Sequence, residues 1–545
     1  MSRSTFGGFN TALSALQANQ LRLDITGQNL ANMNTVGYTR QQLNVSSLNN
    51  SGIISHFSSN PMIGVGFGVA STSVSQIRDP YLDMQYRLQM TKAGYTDSLQ
   101  TSLDSLSQIF DETNVSGMQD AFRDILSSLQ NLQDPSKVND PIYEAEFRSR
   151  MQKLASLLND SAQQISQSAQ DEYSRLDGTG TSESGMVDSV NEILMQIGQL
   201  NRQIKSNELA GQSALELKDE RNRLLDELSS YIPIEVTYYK DQDHDGVAAD
   251  GSEAPEEIYD YDLNGNVIGK KQWPDDLRVS LVYKDADGNT QKLTLVEGTS
   301  GSGADNYGQL SVSGDTPYEA QVTFKGAQGA LDTAQPDSVT AGAGGDISLS
   351  GGNISASLNM LVSDASGSPL KGYQYYAAQL DKLAKTFADT MNQLNSPDDD
   401  SAYLFESRDG GDITAANISI SEGWISGDIH LSTDGEQSNS VVLEMIDAMN
   451  DSMDDLEGNT FVGFMDHLST TLASDSYNNT SSLKTNVTVL NGIQNSRDSI
   501  SGVSLDEEAS NMMAYISAYN AASRLMTTLD EALETLINGT GLVGR

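Results

Sequence analysis

The sequence of 545 residues has no cysteine, only four histidines, 11 prolines and 6% aromatics. Without cysteine there are no disulfides, no thiolate metal sites and no thiol catalysis. His56, His244, His430 and His467 lie far apart, and none falls in H-E-x-x-H. There is no G-x-S-x-G elbow, no Walker A motif and no G-x-G-x-x-G before a helix; "GVGFGV" has the wrong spacing. These absences argue against an enzyme and leave no catalytic or cofactor-binding residue to name. Positive charge is scarce as well. Acids outnumber bases 75 to 32, for a formal net charge of −43. A phosphate backbone needs a basic stripe, so nucleic acid is excluded as a partner, and an anionic membrane surface is disfavoured for the same reason. No run of about 18 apolar residues exists to cross a membrane. The start, "MSRSTFGGFNTALSAL", has no continuous apolar h-region, which predicts that any export uses a route without a cleaved signal. Sparse aromatics predict long helices in narrow layers rather than large cores.

What is present is mostly helical periodicity. Phe9, Leu13, Leu16 and Leu23 share one stripe, which stops at the polar cluster "NLANMNTVGYTR" of residues 29–40. Residues 41–79 read as extended. From Asp79-Pro80 the heptad-like spacing is sustained: Tyr95, Leu99, Leu103, Leu106 and Phe110, then Met118 to Leu132, Phe147 to Leu158 and Met186 to Ile204. After Tyr231 the period changes to two, in "IPIEVTYY", "LRVSLVY" and "QKLTLVEG", with Asp-Gly and Asn-Gly turn signals between them. Helical spacing returns at Ala377–Leu394. At the C-terminal end, "SLDEE" reads as a capping box with Ser504 at N-cap and Glu507 at N3, opening a helix striped by Met512, Ile516, Tyr519, Met526, Leu533 and Leu536.

The expected class is therefore α+β and multidomain: a coiled-coil-like core of long helices drawn from both chain ends, with antiparallel β insertions. The expected division is 1–79, an N-terminal helix and extended linker paired with 503–545; 80–231, a helical bundle; 232–349, an inserted β domain; 350–396, a helix returning to the bundle; 397–440, a small insertion; 441–502, bundle helices; and 503–545, the C-terminal helix. A regularly spaced stripe is ordinarily intramolecular core, and that reading is adopted for the bundle helices. For the two terminal helices the reverse is expected. They can cover only one face of each other, so their remaining apolar surface stays wet until a neighbouring subunit packs on it. The assembly residues are then Leu13, Leu16, Leu23, Met512, Ile516, Tyr519, Met526, Leu533 and Leu536. In the polar cluster, an asparagine in the left-handed region is expected to end the helix, and Gly37 to supply the turn. Thr35 and Tyr38 would then bond or stack on a neighbour, and Asn29, Asn32, Asn34 and Gly37 count with them among the assembly residues. One metal pattern stands apart. Asp241, Asp243 and Asp245 with Gly246 match the opening of a Ca²⁺ loop, but Ser252 occupies the twelfth position and Glu253 comes one residue late. The plain alternative is an acidic Asx-rich turn. A calcium site here predicts a calcium-induced rise in Tm that is lost in Asp243→Ala.

The segments 29–40 and "SGVSLDEEASNMMAYISAYNAASRLMTTLDEALETLI" (501–537) resemble the two terminal signatures of the bacterial flagellar rod, hook and hook-associated axial proteins. "GVGFGVASTSVSQIRDPYLDMQYR" (64–87), "LKDERNRLLDELS" (217–229) and "AANISIS" (415–421) resemble the hook-associated members. The resemblance covers roughly 1–230, 350–395 and 480–545. It implies a structural protein of the flagellum, extracellular, exported through the type III apparatus and placed between hook and filament. It also implies the partners: the hook protein, hook-associated protein 3, further copies of the same chain and an export chaperone over the C-terminal helix. Hook and distal-rod proteins are the rival within that family. A β insertion acting as a calcium-dependent adhesion module is the rival outside it.

Overall fold

A computed structural model describes residues 5–47, 68–110, 112–138, 140–178, 184–240, 258–261, 267–271, 275–298, 306–327, 335–364, 370–396, 402–432 and 439–539. The candidate calcium ligands Asp241, Asp243, Asp245 and Glu253 lie outside these residues. Among the described residues no group of three His, Asp or Glu side chains could hold a metal ion. No described helix is long and apolar enough to cross a membrane.

The chain is α+β. Helix α1 (Thr5–Ala31) is followed by a two-stranded antiparallel pair, β1 (Gln41–Ser47) with β2 (Val69–Gln76), so part of the region expected as linker is a paired hairpin. The bundle then begins with α2 (Pro80–Ile109), α3 (Glu112–Leu132), α4 (Pro141–Asp177), α5 (Met186–Leu209) and α6 (Leu215–Tyr231). Two of these helices start by the same mechanism. Asp79 and Asp140 are N-caps whose carboxylates accept from the backbone N–H two residues on, and each is followed by proline at the first helical position. The heptad-like positions are where the core is. Leu103, Leu106, Phe122, Ile125, Leu129, Phe147, Met151, Leu154, Leu158, Val190 and Ile197 are all buried. The few aromatics are concentrated rather than dispersed: Phe122, Phe387, Phe405 and Phe461 form one cluster with ring centroids 5.2–5.7 Å apart. Scarce aromatics therefore do build a dense core here, against the expectation from composition.

Strands β3 (Ile234–Lys240) to β11 (Ile347–Leu349) follow α6. Among the described residues β4 (Ile258–Tyr261) and β5 (Val267–Lys271) pair only with each other. The others are β6 (Asp275–Asp285), β7 (Thr290–Val296), β8 (Gln309–Ser313), β9 (Gln321–Lys325) and β10 (Ser338–Gly342). The pairing order runs β7–β6–β11–β10–β9–β8, with β3 in line with β11 on the same side of β6. The far ends then meet. Val296 bridges Tyr307, and Gly308 N–H donates to the Leu295 carbonyl, which joins β7 to the start of β8. The sheet thus closes on itself as a small barrel filled by Leu281, Leu293, Leu295, Leu310, Val322 and Phe324. All its pairings are antiparallel except a single parallel bridge, Ala341 to Ile347. Barrel and bundle share one continuous apolar core.

Helices α7 (Asn353–Val362) and α8 (Tyr373–Asn395) return to the bundle, two helices where one was expected. A hairpin of β12 (Phe405–Ser407) and β13 (Ile418–Ile420), with the short α9 (Glu422–Ser426), is pinned to α4 by the buried Trp424, whose indole N–H donates to Glu144 at 2.9 Å. Then come α10 (Ser440–Asn450), the 41-residue α11 (Phe461–Ser501) and α12 (Leu505–Gly539).

Candidate functional site: a joint below the bundle

Four segments from distant parts of the sequence converge beneath the bundle: the turn after α1, the start of α2, helix α6 and the end of α11. The turn is built by the asparagines, each differently. Asn32 continues the end of α1, both its backbone N–H and its side-chain amide donating to the Gln28 carbonyl, at 3.1 and 3.0 Å. Its Oδ1 and backbone carbonyl in turn accept from Thr35. Asn29 is buried, and its carboxamide grips a single residue of β1: Nδ2 donates to the Gln41 carbonyl at 3.0 Å, and Oδ1 accepts from the Gln41 N–H at 2.9 Å. The Tyr38 hydroxyl also donates to Asn29 Oδ1, at 2.9 Å. Asn34 and Val36 stand exposed, Val36 at 88%.

Two sequence expectations are corrected here. The asparagines do not take the left-handed region: Glu457 is the one described non-glycine residue with positive φ, and in this turn Gly37 alone has it, at +83°. Nor is Asn29 displayed to a neighbour, because it is buried and consumed in fixing β1 to the end of α1; the Tyr38 hydroxyl is used there too, while its ring stays partly exposed. Burial pushes the Tyr38 phenol up to about 12, helped by the carboxylates of Asp219, Glu216 and Glu508, so it stays a donor at neutral pH.

Below the turn lies a charge cluster. Thr39 donates through its backbone N–H and its hydroxyl to Asp219 of α6, at 3.1 and 2.6 Å. Arg78 grips Asp83 with two bonds of 3.1 Å and lies 3.7 Å from Asp219. Arg87 Nε meets Asp226 at 2.8 Å. Arg497, near the end of α11, reaches Asp83 at 2.9 Å and Asp226 at 2.7 Å, with its guanidinium over the Tyr86 ring. Three arginines and three aspartates thereby balance one another in a site largely shielded from water. The shifts follow from position. For Arg78, burial opposes the charged form, but the Asp83 hydrogen bond and nearby carboxylates outweigh it and raise its pKa. For Asp219, burial wins over the Thr39 bonds and Arg78, and its pKa is raised.

From this cluster α2 and α11 run antiparallel along a polar seam. Gln89 donates to Asn486, Asn479 donates to the Thr96 carbonyl and to Gln100, and Gln100 donates to Ser476. On the other side of the turn, α12 runs antiparallel to α1. Gly8 lies against Leu529, Arg22 stacks on Tyr515 at 5.3 Å, and Arg40 bridges Glu507 at 2.7 Å and Glu508 at 2.8 Å. The expected capping box is therefore replaced: Glu507 turns to Arg40 instead of back to Ser504. Of the apolar assembly residues, Leu13, Ile516, Tyr519 and Leu536 are exposed, while Leu16, Leu23, Met512, Met526 and Leu533 are half-buried.

Sequence reading missed Thr39, Arg40, Arg78, Asp83, Arg87, Asp219, Asp226 and Arg497 as a unit. The available signal was the alternation of acid and base in "DERNRLLDE", which reads equally well as a solvated helix face. The arrangement holds no catalytic constellation. It can lock the orientation of the α1–α12 pair relative to the bundle.

Three family descriptions match the chain: the flagellar hook-associated protein FlgK helical domain over residues 103–402, the flagella basal body rod protein over 9–39, and the flagellar basal body rod FlgEFG protein C-terminal region over 494–539. Flagellar hook-associated protein 1 of Bacillus subtilis strain 168 is 28% identical, the alignment covering 99% of this chain and 100% of that one. Its counterpart in Escherichia coli K12 is 23% identical, covering 97% and 99%. A solved structure of the flagellar hook junction protein FlgK from Burkholderia pseudomallei is 22% identical with a TM-score of 0.38, covering 59% of this chain and 46% of that one.

Proposed function

This chain belongs to the flagellar hook-associated protein family, its FlgK-type helical domain occupying more than half of its length, and from that premise we propose that it is the structural piece joining hook to filament, polymerising through its terminal helices. The observation that carries the mechanism is the pairing of the chain's two ends. α1 and α12 bury one face against each other and leave Leu13, Ile516, Tyr519 and Leu536 exposed along the pair, whose direction is fixed by the joint at one end. A surface of this kind is covered by packing against further copies, and contacts that use different faces on each copy extend into a tube.

On this reading the protein acts by geometry rather than catalysis. The hook protein lies on one side, hook-associated protein 3 on the other, and copies of itself lie around the ring. It reaches the flagellum through the type III export apparatus without a cleaved signal, and an export chaperone covers the apolar stripe of α12 before secretion. The long bundle helices, with α2 to α6 contiguous in the chain, support a junction piece over a hook or distal-rod protein. The deciding experiment is a deletion strain viewed by electron microscopy. Hooks without filaments, with flagellin shed into the medium, are expected; normal filaments would refute the reading.

A further inference from the structure

Between α1, α12 and the foot of the β1–β2 pair lies a cavity of about 280 Å³ lined by Arg22, Asn29, Arg40, Glu508, Asn511 and Tyr515, among others. Its lining carries two arginines and one glutamate, and a second glutamate, Glu507, also sits on Arg40, so both nearby carboxylates are spent on Arg40 and none on Arg22. The two arginines are used differently. Arg40 spends Nε and Nη1 on Glu508 and Glu507, which leaves its Nη2 donors. Arg22 lies with its guanidinium over the Tyr515 ring at 5.3 Å and has no carboxylate within 4 Å among the described residues. A guanidinium stacked on a ring keeps its in-plane N–H donors free, and their fork geometry matches a carboxylate.

We propose that this cavity receives a carboxylate side chain from a second copy of the chain, bound by Arg22 and supported by Arg40 and Asn511. The inference rests on the assembly reading above and deepens it by naming the contact. Charge complementarity selects the occupant. The outer half of α12 presents Asp530, Glu531 and Glu534, all exposed and without a basic partner within 4 Å among the described residues. Residues 530–534 lie 15–19 positions beyond Tyr515, which at about 1.5 Å per residue is about 22–28 Å along the helix. A neighbouring copy displaced axially by about that distance brings its acidic segment level with Arg22. Within one chain that meeting cannot happen, because Arg22 and residues 530–534 are held apart by the same antiparallel pairing that sets Gly8 against Leu529.

The test is a double-mutant cycle on self-association of the full-length chain, followed by sedimentation. Arg22→Met keeps the stem over Tyr515 and removes the fork; unchanged far-UV circular dichroism checks that the helices remain. About tenfold weaker association is expected, with Arg22→Lys intermediate. One of Asp530→Asn, Glu531→Gln or Glu534→Gln should weaken the wild type by a similar factor and cost nothing further in the Arg22→Met background. If Arg22→Met associates like the wild type, or all three carboxamide changes add fully to it, the receptor assignment is overturned. A wild-type chain that stays monomeric at every concentration overturns the assembly reading itself.

Discussion

Asn29 uses a carboxamide where neither a carboxylate nor a hydroxyl would serve, because Gln41 presents a donor and an acceptor side by side. Asn29→Asp leaves the Gln41 carbonyl facing a second acceptor. A loss of about 1–3 kcal/mol is expected, the usual cost of an unsatisfied buried partner, read by urea denaturation. The same grip recurs at Leu310, held by Asn191 of α5, and at Phe405, held by Asn392 of α8. Each helix thus closes the edge of a strand with one side chain. Gly37 is a different case. Its φ of +83° disfavours any β-branched residue, yet a Cβ there would meet only Arg223 at 3.8 Å, an ordinary contact. Gly37→Val therefore costs about 1–2 kcal/mol of backbone strain without a clash. The chain stays soluble, and assembly is lost because the turn changes direction; electron microscopy of purified protein checks this. Asp219 gives the pH dependence. Its folded pKa is raised, so its contribution is fullest below the ordinary carboxylate range and declines as pH rises through the raised value. The stability gap between wild type and Asp219→Asn is expected to be wider at pH 4 than at pH 7.

At the scale of elements, the α2–α11 pair depends on polar side chains. Arg497→Met removes one of the two arginines that hold each of Asp83 and Asp226; Arg78 and Arg87 remain on them, so about 1.5–3 kcal/mol of destabilisation is expected, with faster amide exchange in the last turns of α11. This pair also shows where the sequence stops being legible. Apolar spacing located the bundle helices, since Leu, Ile and Phe at heptad intervals have few other uses. The period-two stretches located the strands for the same reason. Asn479, Asn486, Gln89 and Thr96 carry no such signal: a buried amide ladder and a wetted helix face have the same composition. The joint was half legible. "NLANMNTVGYTR" marked a break in the helix, and Gly37 marked its turn. The distant partners of that break, Asp219 on Thr39 and Glu508 on Arg40, lie 180 and 468 residues away, and nothing local specifies such pairings. Barrel closure was hidden in the same way, because the end of β7 at Val296 is met by Tyr307, which lies in no strand.

For the molecule as a whole, a charge of −43 opposes the crowding of copies that assembly requires. Raising ionic strength from about 0.1 M to about 1 M shortens the screening length from about 10 Å to about 3 Å, so self-association of the wild type should strengthen with salt, measured by light scattering. The path of the chain through the barrel has a mechanical counterpart. β3 leaves α6 and β11 leads to α7 along the same side of β6, and the Gly352 N–H bonds the Thr91 carbonyl while the Thr91 hydroxyl bonds the Ser229 carbonyl. The two stumps of the excursion are thus stapled to one turn of α2. A load carried along the bundle has a direct route from α6 to α7 through that staple, beside the apolar core that bundle and barrel share. Because the two stumps are held together at α2, the barrel's loops can change in length and sequence while α6 and α7 keep their places.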